Sequence, residues 1–137
     1  MIENKAGLNG WIIVAGLLGL SAVALGAVAA HVIADSKAVA SLEKAAIYQL
    51  IHVIVLLFLV RSQIRFAQAC RWLFLTGIIL FCGSIEMKYL LDIQGATRVA
   101  PAGGVFLMLG WVVLGVSGVC RNEKTAPSPS NMNPQEW

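Results

Sequence analysis

Residues 11–32 read W-I-I-V-A-G-L-L-G-L-S-A-V-A-L-G-A-V-A-A-H-V, 22 positions without a charge. At 1.5 Å per residue this run makes a helix of about 33 Å, enough to cross a hydrocarbon core of roughly 30 Å. Lipid offers the backbone no hydrogen-bond partners, so such a segment must satisfy its own N–H and C=O groups as an α-helix. Three further stretches read the same way, at 42–60 (cleanly apolar from Ala45), 72–91 and 101–119. The connections between them are short, which makes neighbouring helices antiparallel in an up-and-down bundle. The expected fold is therefore an all-α integral membrane bundle of four transmembrane helices. Residues 1–121 form that domain. Residues 122–137, with Pro127, Pro129 and Pro134 among Ser and Asn, are expected to be a mobile polar tail.

The first segment also imitates a secretory signal, with Lys5, an apolar stretch and then Ala27-Val28-Ala29 as a cleavage-like site. Its apolar run is longer than the roughly 7–15 residues of a signal's hydrophobic region, so it is expected to be a helix of the mature protein.

Composition agrees with the bilayer. The chain is 58% hydrophobic and only 12% charged, where soluble domains carry about 25% charged residues. Ten Lys and Arg against seven Asp and Glu give a net charge of +3. No basic stripe interleaved with aromatics accompanies that charge, so nucleic acid is not an expected partner. Topology accounts for it instead. The side shared by the termini and the second loop carries Lys5, Arg61, Arg65, Arg71, Arg121 and Lys124, while the other carries Lys37, Lys44 and Arg98. The bias places both termini in the cytoplasm. Cys70, Cys82 and Cys120 form neither C-x-x-C nor a disulfide framework and read as small polarizable fillers.

Helix association in lipid needs close van der Waals contact. The first helix has a seam for it in Ala15, Gly19, Ala22, Gly26 and Ala29, whose steps of 4, 3, 4 and 3 keep one face. The fourth adds Gly103, Gly104, Gly110, Gly115 and Gly118 at less regular spacing. Packing within the bundle is the first reading of these faces, and docking into a larger complex is compatible with it.

Six polar residues lie in or beside the apolar spans: His31, Tyr48, Gln49, His52, Ser84 and Glu86. Tyr48 and His52 are four apart and share a helix face, with Gln49 beside them. Most of the six gather toward the non-cytoplasmic side, where an interhelical hydrogen-bond cluster is the expected use. A bis-histidine haem does not fit, because His31 and His52 differ in depth by roughly 15 Å. A copper site from His31, Glu86 and Met87 or Met108 lacks the tight spacing of a dedicated motif, so no metal is expected. A quinone or lipid beside Tyr48, Gln49 and His52 fits somewhat better. A proton relay through Glu86 and His52 is physically allowed. Lys88 can snorkel to the interface on its long stem. Glu86 is expected to pair with His31, Lys88 or Arg98, or to be protonated.

The pattern A-L-G-A-V-A-A-H at 24–31, Y-Q-L-I-H at 48–52, F-C-G-S at 81–84, P-A-G-G at 101–104 and Gly110-Trp111 resembles a known family. It is the small four-helix membrane family of unknown function, domain of unknown function 423, which includes the YgdD-like and transmembrane protein 256-like proteins. The resemblance covers about 10–119. It implies a multi-pass protein of the bacterial inner membrane with no established activity. Its motif positions fall here on Gly26, His31, Tyr48, Gln49, His52, Gly83, Ser84, Pro101, Gly103, Gly104 and Trp111. This chain departs from the pattern after G-S: Ile85-Glu86-Met87-Lys88 stands where the family commonly has an aromatic.

No residue pattern names a reaction, so the chain is not expected to be an enzyme and no catalytic residue is assigned. The leading expectation is an accessory or scaffold subunit of a larger energy-transducing membrane complex. Membrane lipids, other subunits or a second copy would then be its partners, and no cofactor is needed. The alternatives are a ligand-binding or redox subunit holding quinone, lipid or haem near His52 and Tyr48, and a small oligomeric transporter or proton conductor.

Overall fold

The computed structural model describes residues 5–119. The expected tail at 122–137 lies outside the described residues, as do Cys120, Arg121, Lys124 and the side chain of Lys5. Four α-helices follow one another: α1 Lys5–His31, α2 Ser36–Arg61, α3 Ala67–Leu90 and α4 Ala100–Val119, the last preceded by a 3-10 turn at Ala96–Val99. No strand occurs among the described residues. All four helices are long and apolar enough to cross a membrane.

The first three helices begin earlier than the apolar pattern marks them, at 5, 36 and 67 instead of 11, 42 and 72. An apolar run records where lipid lies, whereas the backbone ladder continues into the polar flank until something caps it. For α2 the cap is Asp35, whose carboxylate accepts hydrogen bonds from the Lys37 and Ala38 amides at 3.2 and 3.3 Å. The 26 residues of α2 span about 39 Å, which exceeds a core of roughly 30 Å. Its early turns, with Lys37, Glu43 and Lys44 exposed, therefore reach beyond the apolar zone.

Close backbone contacts join α1 to α2, α2 to α3 and α3 to α4, and none join α1 to α4. The helices alternate in direction. Trp11 near the start of α1 meets Trp72 near the start of α3 with ring centroids 5.1 Å apart. At the opposite end, the hydroxyls of Ser41 on α2 and Tyr89 on α3 lie 3.4 Å apart. The core lies between the inner helices and includes Leu42, Leu56, Leu59, Cys70, Phe74, Ile78 and Cys82. Leu20, Ile54 and Val112 instead point outward, as expected of helices that are apolar all round.

The tightest approach is between α3 and α4, and it depends on three glycines. A Cβ at Gly103 would collide with the backbone nitrogen of Phe81, and one at Gly110 would lie 2.7 Å from the Phe74 ring. On the facing helix, a Cβ at Gly77 would lie 2.5 Å from Leu107. The α1 seam packs differently. Ala15, Ala22 and Ala29 are buried, a Cβ at Gly19 would make ordinary contact with Val53, and Gly26 faces open space. Gly83 likewise has nothing within 4 Å, and a Cβ at Gly104 would touch Phe81 at an ordinary 3.9 Å. Between α3 and the 3-10 turn the chain reverses through Asp92 and Gly95, with φ of 52° and 87°. Asparagine and aspartate tolerate the left-handed region better than most residues, and glycine occupies it without strain.

Candidate functional site

Two of the buried polar residues, His52 and Gln49, build separate interhelical joints. The first is built on His52, 4% exposed at the centre of α2's apolar stretch. One turn earlier, the carbonyl oxygen of Tyr48 lies 2.6 Å from His52 Nδ1. A carbonyl can only accept, so Nδ1 carries the proton and Nε2 is left with a lone pair. That lone pair faces α4, where the Trp111 Nε1–H donates to it at 3.2 Å. The imidazole is thus neutral, in one tautomer, with both nitrogens engaged. Phe74 of α3 completes the joint, its ring centroid 5.5 Å from both His52 and Trp111. It is the same ring that requires glycine at 110. Three helices therefore meet at one histidine.

The second joint points the other way. Gln49 is 2% exposed and reaches α1, where its Nε2 donates to the Leu18 carbonyl at 2.8 Å and to Ser21 Oγ at 2.7 Å. Ser21 Oγ in turn donates to the same Leu18 carbonyl at 2.9 Å. The carbonyl fixes the orientation of the amide, because only the NH₂ end can face an acceptor without hydrogens.

The remaining sequence candidates do not join these centres. Tyr48 stacks on His52 at a centroid distance of 6.2 Å and also meets Phe81, yet its ring is half-exposed and its hydroxyl has no partner among the described residues. Ser84 is buried and donates to the Phe81 carbonyl of its own helix at 2.9 Å. His31 is exposed at the end of α1. Glu86 is half-buried and pairs with none of His31, Lys88 and Arg98; Lys88 lies over the Tyr89 ring at 4.9 Å instead. The six residues thus form no single cluster. Sequence reasoning grouped Trp111 with the packing residues and missed its hydrogen bond. It also missed Ser21, although the Ser21–Gln49 pairing is of the kind Ser and Gln make between membrane helices.

Chemically, His52 offers no free nitrogen. An iron or copper ion could bind it only by displacing either Trp111 or the Tyr48 carbonyl. Among the described residues no three His, Cys, Asp or Glu side chains converge on a common point. Cys70 and Cys82 are buried free thiols inside the bundle.

Several known proteins are similar to this chain in sequence. A "UPF0382 membrane protein" of Haemophilus influenzae is 32% identical over 112 residues, covering 77% of this chain and 90% of the relative. Another of that name from Staphylococcus epidermidis is 32% identical over 113 residues, covering 76% and 90%. One from Staphylococcus aureus is 31% identical with the same coverage. No solved structure matches the chain. The family described as "Protein of unknown function (DUF423)" matches residues 25–104, a stretch that runs from the end of α1 through Gln49, His52 and Glu86 to Gly104. This chain is a membrane protein of the DUF423 family, whose function is unknown.

Proposed function

We propose that this chain is a non-catalytic accessory or scaffold subunit of a larger energy-transducing membrane complex. It would sit in the bacterial inner membrane with both termini in the cytoplasm. The observation that carries the reading is the state of His52. Its two ring nitrogens are engaged by Tyr48 and Trp111, so the most buried ionisable ring of the bundle is used to join helices and presents no open position to a substrate. Gln49 is used in the same way toward α1. The short connections between the described helices hold no separate domain, and all the relatives described above are bacterial.

The test is purification of the native protein in a mild detergent, read by mass spectrometry and by an absorbance spectrum. Stoichiometric companion subunits with no chromophore on this chain are the expected result. A lone chain with no companions would defeat the reading. The half-exposed Tyr48 ring, stacked on His52, favours a second reading in which a quinone or lipid lies against α2. Quinone recovered with the wild type and lost in Tyr48→Ala would support that one.

A further inference from the structure

Where α2 gives way to α3, a partly open cavity of about 210 Å³ lies among Ser62, Gln63, Arg65, Gln68 and Arg71. Its lining is largely polar. The sequence around it, residues 61–72, holds Arg61, Arg65 and Arg71. Arg65 is exposed, its guanidinium 5.5 Å from the Phe66 ring. Arg71 is 4% exposed and lies under Trp11, 5.6 Å from the indole centroid. Trp11 itself packs edge-on against Trp72. Tryptophan and arginine at the end of two spans mark the level of the lipid headgroups. The volume is below the roughly 300–1,000 Å³ of sites for drug-sized ligands, and suits a compact anionic group.

We propose that this cavity holds the phosphate of an anionic phospholipid headgroup, with Arg65 and Arg71 as its cationic walls. The guanidinium fork matches phosphate oxygens in geometry as well as charge. A bilayer delivers headgroup phosphates to this depth at high local concentration, which makes the lipid, and not a phosphate ion from solution, the occupant. Basic recesses between membrane helices bind such headgroups by the same physics. The proposal is independent of any role in a complex.

The test uses the purified full-length chain, stripped of lipid in detergent and offered equal amounts of phosphatidylglycerol and phosphatidylcholine, with bound lipid counted by native mass spectrometry. The wild type should retain phosphatidylglycerol in preference, and Arg65→Gln should lower that preference about fivefold, the share of one arginine beside an anionic group. Arg65 is exposed, so its loss leaves the core intact. Arg65→Lys should keep most of the preference. Arg61→Gln removes the same charge from a residue that does not line the cavity, and should leave the preference unchanged. Equal retention of the two lipids by the wild type would overturn the proposal. An Arg61→Gln effect as large as that of Arg65→Gln would also overturn it, by showing diffuse surface attraction in place of a site. Inorganic phosphate bound by the wild type with no preference between the two lipids would assign the cavity to a free ion and overturn the lipid.

Discussion

The two ends of the helix series are fastened by opposite means. α1 lies on α2 through buried alanines and one amide, Gln49, that bonds across the interface. α4 lies on α3 through missing side chains: at Gly77, Gly103 and Gly110 a single methyl group would strike the neighbouring helix. The regular seam on α1 is the more conspicuous in sequence, yet its glycines have room to spare. In lipid, small residues matter only where a particular neighbour comes close. The comparison shows that periodicity marks a face, while the atoms opposite decide whether glycine is required there.

The comparison is broken most directly at Gly103. Gly103→Val should cost about 3 kcal/mol, because the obstacle is Phe81 backbone that cannot rotate away. Reversible unfolding in mixed detergent micelles would measure it, and a neutral result would mean that α3 and α4 are not in backbone contact. Gly110→Ala should cost about 1–2 kcal/mol, since the Phe74 ring can shift at the expense of its packing on His52 and Trp111. Near-ultraviolet circular dichroism should change with it, reporting the disturbed Trp111.

The polar joints come next in size. Gln49→Leu and Trp111→Phe should each cost about 1 kcal/mol or less, in keeping with the modest value of hydrogen bonds between membrane helices. The two substitutions act on different interfaces, α1–α2 and α2–α4, and their effects should add in the double variant. A clear departure from additivity would show that the joints on either side of α2 are one unit. The smallest effect belongs to Gly26→Ala, within about 0.5 kcal/mol of wild type, as nothing stands near its missing Cβ. A large loss there would restore the α1 seam as a required contact.

Much of the fold could be read from residues alone, because a charge-free run long enough to cross a bilayer permits one structure. The helix starts could not, since hydropathy follows lipid and the ladder follows caps. Asp35, two residues before the first amide it caps, was the available signal for α2. The stacking of Tyr48 on His52 follows from their spacing of four. The Trp111 bond does not, for it depends on how far α4 slides along α3, and that is set by the fit of glycines against Phe74 and Phe81. Glu86 illustrates the same boundary. Its presence in α3 is plain from sequence, but its neighbours depend on where Lys88 turns, and Lys88 lies over Tyr89.

Contacts between the described helices run almost wholly between consecutive ones, and α1 never meets α4. A chain wired in this order can be assembled as it is synthesised. α1 and α2 can dock as a first hairpin, α3 can then settle on α2, and α4 can arrive last without disturbing what is already in place. The bond from Trp111 back to His52, 59 residues apart, is then the final latch, closing only when the last helix has found its depth.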